Sequence, residues 1–413
     1  MAARRLAARI GLGAAAAARD AWRLDAVASA TPLAAKELRR RRILITSLRH
    51  AVQGATALLV LEIGLEFVGF VRGLERGGAV MARPAGVEGF LPISGLMSLR
   101  HLWITGEVHP VHPAALAILV AVLATSITIK KAFCSWLCPI GVVSETLAAM
   151  SERLFRRRLA LPRLLDLPLR GLKYLLLAFF LQAIFVALSS EELKGFLDSP
   201  YNRVADIKML LFFERLSPVG LSVLGGLAAA SFLVPYFWCR YLCPYGALLG
   251  IVSLAAPLKV TRHAPSCIDC GLCTKACPSR LPVDRLARVR SDECFGCLSC
   301  IAACPVSRAL RVETPSPWRR AVRPALLAAL VVLLFGGTIV AARAGGWWRN
   351  SISDSEYAAR LLEIDDPVYD HTQAASGRTP ELRVTGSIHA GSGVAAEGSL
   401  RAGETPEGQS PKR

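Results

Sequence analysis

Five long apolar stretches constrain this chain more than any other feature of its sequence. Each is roughly long enough to cross the ~30 Å of hydrocarbon in a bilayer. They occupy residues 50–71, 111–129, 173–190, 217–238 and 323–343. None has the alternation of period two that is typical of a barrel strand, so α-helices are the expected spanning form. We therefore predict a mainly α membrane protein with about five transmembrane helices. For the third stretch, which contains Gln182, a buried helix is the alternative.

Basic residues alternate between the loops that join these stretches. The formal net charge is +18, with eleven Lys and Arg in residues 1–49 and nine in 130–173, but four each in 72–110 and 191–215. The positive-inside rule therefore predicts a cytoplasmic N-terminus, cytoplasmic residues 239–322 and a periplasmic C-terminus in a bacterial inner membrane. Nucleic-acid binding is not expected, because no basic face with base-stacking aromatics accompanies the charge.

All twelve cysteines lie in four short motifs, of which two have the same spacing. CIDCGLCTKACP and CFGCLSCIAACP are both C-x2-C-x2-C-x3-C-P, the run that holds 4Fe–4S clusters in bacterial ferredoxins. In such a run the fourth thiolate serves the other cluster. The spacing predicts one cluster on Cys267, Cys270, Cys273 and Cys304, and a second on Cys294, Cys297, Cys300 and Cys277. A reducing compartment disfavours disulfides, and the tandem triplets disfavour zinc.

The other two motifs, FCSWLCPIG and WCRYLCPYG, repeat at an offset of 105 residues. They contain Cys134, Cys138, Cys239 and Cys243, which we call the thiol quartet. The i, i+4 spacing predicts that the two thiols of each pair share a helical face, with a proline bending the chain just after them. If the repeat is a duplicated hairpin, the pairs meet and favour a third 4Fe–4S cluster. The alternatives are a disulfide-cycling quartet, a Cu(I) site, or cysteines packed as small hydrophobes.

Together, the four cysteine motifs and the apolar stretches resemble the membrane polyferredoxin family. It includes the membrane ferredoxin subunit of the periplasmic nitrate reductase system, the nitrous-oxide reductase maturation protein and the cytochrome oxidase assembly ferredoxin. The resemblance covers about residues 50–350, and the segments VEGFLPISGLMSLRHLW and WWRNSISDSEYAARLL also look familial.

This resemblance implies an iron–sulfur electron carrier of the inner membrane. Such a protein links the quinol pool to a periplasmic respiratory reductase or its maturation, together with redox partner subunits. The alternatives are a redox sensor or assembly factor, or a cupric-reducing protein for metalloenzyme assembly. Some members carry an FMN domain, but the only Gly-Ala-Thr here is Gly54 to Thr56, inside the first apolar stretch. No FMN is expected, and no haem, since Cys-x-x-Cys-His does not occur in the sequence.

The first apolar stretch also contains two carboxylates, Glu62 and Glu66, one helical turn apart. A carboxylate near the middle of a membrane is costly and indicates either a function or a buried partner. We predict that Glu62 accepts a proton released by quinol oxidation. The alternative is that Glu66 reaches the outer interface and Glu62 bonds to a neighbouring helix.

These features predict five consecutive regions. Residues 1–49 form a basic cytoplasmic arm, 50–250 a four-helix membrane region with both C-x3-C-P repeats, and 251–316 a bacterial-type ferredoxin domain for two 4Fe–4S clusters. Residues 317–345 form the fifth transmembrane helix, and 346–413 an extracytoplasmic tail. The tail is expected to be largely disordered, from about residue 372, after a short amphipathic helix in 351–370.

Overall fold

A computed structural model describes residues 32–77, 81–156, 161–306, 309–315 and 320–370, and these are mostly helical. Its α-helices are α1 Pro32–Glu75, α2 Pro92–Thr105, α3 Pro113–Ile129, α4 Ala132–Trp136, α5 Pro139–Phe155, α6 Arg163–Gln182, α7 Ser190–Asp198, α8 Pro200–Arg203, α9 Ala205–Glu214, α10 Pro218–Leu233, α11 Pro244–Val252, α12 Leu272–Ala276, α13 Ser299–Ala303, α14 Pro324–Ala344 and α15 Asp354–Leu362. The strands are β1 Lys259–Arg262, β2 Leu310–Glu313 and β3 Ala321–Val322. The predicted arm up to residue 31 and the tail beyond residue 370 lie outside the described residues.

Three helices of the described chain are long and apolar enough to cross a membrane. They are Ala35–Glu75 within α1, Leu164–Ala187, which extends α6 by a π-helical turn, and α14. A fourth span results if α9 and α10, which meet at an angle of 84°, count as one. The predicted second span corresponds to α3, an apolar helix of 17 residues. Proline occupies the first turn of α3, α10 and α14, where its missing N–H costs no hydrogen bond.

The ferredoxin-like segment packs on one end of the helices, which we call the inner end. Its sheet has the antiparallel order β1-β2-β3, with Val260 opposite Val312 and Val312 opposite Val322. One apolar core joins Val260 and Val312 to Ile45 of α1 and Leu327 of α14. The inner part of α1 therefore continues past the predicted span and contacts the sheet, where Arg41 donates to the carbonyl of Leu310 at 3.2 Å.

A second core lies at the opposite, outer end of the helices. Phe67 and Phe70 of α1 pack there with Ile207 of α9 and Tyr357 of α15. The short helix predicted within 351–370 is therefore present as α15, and its aromatic side chain is buried. The described chain thus has one apolar core at each end, with the long helices between them.

Candidate metal centres

Two cavities lie in the ferredoxin-like segment, and each is surrounded by four cysteines. The first is lined by Cys267, Cys270, Cys273 and Cys304. The second is lined by Cys277, Cys294, Cys297 and Cys300. Each cavity therefore takes three thiols from one run and the last thiol from the other, which is the arrangement that a pair of cubane clusters requires.

The backbone of each run explains how the fourth thiol reaches the other cavity. Cys277 and Cys304 end the short helices α12 and α13, and both have extended backbone angles, φ −73° and ψ 121°. A proline follows each of them, and proline disfavours the α conformation in the preceding residue. The helix therefore stops at the cysteine, and its thiol lines the neighbouring cavity.

The thiol quartet lies where two pairs of helices meet at the inner end. Cys134 is in α4 and Cys138 precedes α5, whereas Cys239 is in a π-helical turn, Trp238–Leu242, and Cys243 precedes α11. The prediction that each pair occupies one face of a continuous helix is wrong. Each helix breaks before the second cysteine, because the proline after it begins a new helix.

Contacts between the two C-x3-C-P segments bring their thiols together. The hydroxyl of Ser144, in α5, lies 3.4 Å from Sγ of Cys239. The rings of Phe133 and Tyr245 meet edge to face with centroids 6.3 Å apart. All four thiols of the quartet are close enough to affect one another electrostatically. The quartet is therefore one cluster of side chains built from both halves of the 105-residue repeat.

Burial makes these thiols weak acids. It raises the pKa of Cys138 to about 11 and that of Cys239 to about 12. Disulfide exchange requires a thiolate, and reactive cysteines usually have a lowered pKa, so the raised values disfavour a disulfide-cycling quartet. All twelve cysteines are free in the structure. A metal centre would supply the positive charge that deprotonates such buried ligands.

The quartet is joined to the second cavity by direct hydrogen bonds. Ser135 Oγ donates to the carbonyl of Phe295 at 2.7 Å, and the Trp136 indole donates to the carbonyl of Gly296 at 3.2 Å. The backbone N–H of Lys131 donates to the carbonyl of Cys294 at 3.4 Å. The loop that carries one cysteine pair thus rests on the loop that lines the second cavity.

Buried charges surround this junction, and the sequence did not predict them. Lys130, Lys131 and Lys173 are 2%, 0% and 0% exposed, and Lys173 forms an ion pair with Glu293. The pair Lys130–Lys131 at the end of an apolar stretch has the pattern of positive-inside residues in contact with solvent. Only the position of the folded ferredoxin segment shows that these ammonium groups are covered.

A second buried polar cluster, at the outer end, was also missed. The Arg83 guanidinium contacts Asp206 Oδ2 at 2.6 Å and Glu88 Oε1 at 3.1 Å, and both carboxylates are fully buried. His112 Nδ1 lies 3.5 Å from Glu88 Oε1, and the Tyr357 hydroxyl lies 3.4 Å from Asp206 Oδ2. We call these five residues the outer cluster. Glu88 and Tyr357 come from the two segments that resemble the family. Their place in those segments was the sequence feature that could have pointed to this cluster.

Glu62, the predicted proton acceptor, lies outside both clusters. Its side chain is exposed on α1, between Val52, which packs at the inner core, and Phe67 in the outer core. Glu66 is half-buried one turn further along. The structure therefore places the Glu62 carboxylate on the surface between the two ends of the helices.

Comparisons with known proteins agree with an iron–sulfur protein. A family described as a 4Fe-4S binding domain matches residues 111–162 and 216–262, which contain the thiol quartet. A family described as a 4Fe-4S dicluster domain matches residues 259–305, which contain both ferredoxin-like runs. No solved structure matches the chain.

Several relatives are ferredoxin-type or electron-transport proteins. The chain is 46% identical over 274 residues to YccM of Escherichia coli K12, which is named for electron transport, covering 66% of this chain and 76% of that protein. It is 27% identical over 217 residues to the ferredoxin-type protein NapH of the same organism, covering 46% of this chain and 66% of NapH. It is 33% identical over 172 residues to NirI of Paracoccus denitrificans, covering 41% of this chain but only 24% of NirI.

Proposed function

The chain belongs to the membrane polyferredoxin family, and on that premise we propose that it links the quinol pool to a periplasmic respiratory reductase or its maturation. Its general role is that of a membrane iron–sulfur electron-transfer protein. Our specific proposal is that three 4Fe–4S sites form one electron path that begins at the membrane. These sites are the two ferredoxin-like sets of cysteines and the thiol quartet.

The contact between the quartet and the second cavity is the observation that carries this proposal. Ser135 and Trp136 of the quartet loop donate hydrogen bonds to the residues that follow Cys294. A thiol set built at the ends of membrane helices is thereby fixed against a thiol set in the ferredoxin-like segment. A simple structural role for the quartet would not require this contact.

Oxidation of one quinol sets the electron count for such a path. The quinol becomes a quinone and releases two electrons and two protons. When bound, 4Fe–4S clusters supply one-electron transfer, so the two electrons of one quinol leave one at a time along the path. The proposal assigns one of the two protons to the carboxylate of Glu62, which is exposed on α1, and releases the other to water.

Iron content tests the cluster assignment directly. Anaerobically purified protein with three 4Fe–4S clusters should contain about twelve iron atoms per chain, against about eight for two clusters. The double variant Cys138→Ser, Cys243→Ser should fall from about twelve toward eight and keep the ferredoxin-type EPR signals. Its matched control, Ser144→Ala, removes the hydroxyl beside Cys239 but no ligand and should remain near twelve.

Two results would contradict the assignment. A wild-type value that stays at eight after full reconstitution removes the third cluster. Copper bound to the wild type and lost in the double variant indicates the copper site instead. The quinol step is tested separately, by adding a quinol analogue to protein with its full iron content. Clusters that dithionite reduces but the quinol does not would remove the quinol link.

A further inference from the structure

Three buried lysines stand at the junction between the quartet and the second cavity. A buried ammonium group is expensive unless hydrogen bonds or opposite charges satisfy it. Lys130 meets this requirement, because its Nζ donates to the carbonyls of Ser253 and Arg290, both at 3.1 Å. Lys173 meets it through its ion pair with Glu293.

Lys131 is satisfied less well than the other two. Within the described part of the chain, its Nζ has no hydrogen-bond partner, although it is almost fully buried. The nearest carboxylate oxygen, Oε2 of Glu293, is 3.7 Å away, and it also lacks a hydrogen-bond partner there. The ammonium lies 4.9 Å from the centre of the Phe295 ring, a cation–π contact. The described partners of this charge are therefore a long ion pair and a ring face, without a hydrogen bond.

The position of Lys131 puts this charge between two sets of thiols. Lys131 precedes Cys134 of the quartet by one helical turn, and its charge also reaches Cys239 and Cys243. Its charge reaches Cys294, whose carbonyl accepts the hydrogen bond from the Lys131 backbone. The first cavity is lined by other residues, among them Arg262 and Asp269.

We propose that Lys131 is a potential-setting residue shared by the quartet cluster and the second ferredoxin cluster, an inference that rests on the proposed function. A 4Fe–4S cluster becomes more negative when it is reduced. A buried positive charge beside it stabilises the reduced form, since a low local dielectric screens the interaction weakly. Lys131 thus raises the reduction potentials of both neighbouring clusters and favours passage of an electron from the membrane side into the ferredoxin-like segment.

Two variants that change the local charge in opposite directions test this role. Lys131→Met removes the charge and keeps most of the side-chain length, whereas Glu293→Gln removes the negative charge beside it. Potentials are measured by redox titration of the full-length protein, followed by EPR, with iron content determined on the same samples. Repeating the titration in the Cys138→Ser, Cys243→Ser background separates the second cluster from the quartet cluster. The first cluster, on Cys267, Cys270, Cys273 and Cys304, is the internal control.

We expect Lys131→Met to shift the quartet and second clusters to lower potential and Glu293→Gln to shift them to higher potential, with the first cluster unchanged. Unchanged potentials in both variants at full iron content would overturn the proposal, as would an equal shift of all three clusters. If Lys131→Met loses iron, Glu293→Gln decides the outcome. If the wild type contains only eight irons, the third cluster fails, and the second cluster still reports whether Lys131 sets its potential.

Discussion

Two glycines determine how closely the cysteine loops approach their neighbours. A Cβ atom at Gly141, in the first turn of α5, would overlap the carbonyl oxygen of Cys134. A Cβ atom at Gly296 would lie 2.9 Å from the carbonyl oxygen of Ile129, at the end of α3. The glycine of the FCSWLCPIG motif therefore permits the first turn of α5 to approach the carbonyl of Cys134, and Gly296 permits the ferredoxin loop to rest on the membrane helix.

Gly296→Ala should separate the second cluster from the membrane region. The change should lower iron content and the thermal midpoint, because the added methyl group meets backbone that cannot rotate away. Gly271→Ala is the matched control. Both glycines have positive φ, +69° at Gly271, but the nearest atom to a Cβ there is 3.9 Å away. The control should lose only the ~1–2 kcal/mol of a left-handed residue, measured by thermal unfolding. Equal losses in both variants would contradict a role for close packing.

Position and burial distinguish the two carboxylates of α1, so Glu62→Gln and Glu66→Gln form a matched pair. Glu62 is exposed and Glu66 is half-buried. We expect Glu62→Gln to slow reduction of the clusters by a quinol analogue about a hundredfold or more, within the ~10²–10⁴-fold range of a general acid–base group, while dithionite reduces the same fraction. Stopped-flow absorbance measures both. Unaltered quinol kinetics would return Glu62 to a structural role, and the same loss in Glu66→Gln would show that the pair acts together.

The outer cluster connects elements that are distant in the sequence. Arg83 and Glu88 come from the loop after α1, His112 precedes α3, Asp206 begins α9, and Tyr357 belongs to α15. His112 Nε2 also lies 2.6 Å from the carbonyl of Asn202. Breaking a buried ion pair of this kind costs about 3–5 kcal/mol. The cluster is thus a strong polar connection between helices whose lipid-facing surfaces are apolar.

His112 should make the stability of this end depend on pH. Burial disfavours its protonated form, but the carboxylates of Glu88 and Asp206 and the Asn202 carbonyl outweigh burial and raise its pKa above the ordinary value. Because this pKa is higher in the folded state, protonated His112 stabilises the fold fully below the unfolded-state pKa of about 6.5. This stabilisation is lost as the pH rises through the folded-state pKa. The thermal midpoint of the wild type, relative to that of His112→Gln, should therefore fall as the pH rises above about 6.5.

The neighbouring His109 should give stability the opposite dependence on pH. Burial lowers the pKa of His109 to about 4, so its contribution is present above about pH 6.5 and is lost as the pH falls toward 4. His109→Gln should therefore remove the loss of stability on the acid side. Parallel stability profiles for wild type and His112→Gln above pH 6.5 would contradict the charge assigned to His112.

Sequence patterns predicted the local elements better than the contacts between them. The cysteine spacing grouped the eight thiols as they now surround the two cavities, because ferredoxin spacing is a local property of the chain. The single helical face predicted for Cys134 and Cys138 was wrong, since the proline effect on the preceding residue outweighs helical periodicity. The buried state of Lys131 and Asp206 was missed, because each is covered by residues more than 100 positions away.

The thiol quartet lies at the inner end of the described chain, and the outer cluster lies at its outer end. The quartet, the two cavities and Arg41 belong to one end, and the outer cluster and α15 belong to the other. Counting the crossings along the chain, five passages between the ends are needed, through α1, α3, α6, α10 and α14. Only three of these are long and apolar enough on their own. The shorter α3 packs against the long α14, whereas α10 packs mainly against α5 and has a largely exposed apolar surface, as a helix that faces lipid would have.

This arrangement predicts opposite sides for the two ends, with the N-terminus inside and the C-terminus outside. Alkaline phosphatase fused after Glu107 or at Arg413 should be active, whereas a fusion after Thr314, behind four crossings, should be inactive but fluorescent when GFP replaces the phosphatase. A cytoplasmic result at Arg413 would remove one crossing, and a further fusion after Glu191 would show whether α6 is the helix that fails to cross. If α6 failed to cross, Asp206 would lie on the opposite side from Arg83, whose Nε donates a hydrogen bond to Asp206 Oδ2 at 2.7 Å. A missing crossing would therefore contradict both the topology and the contacts of the buried outer cluster.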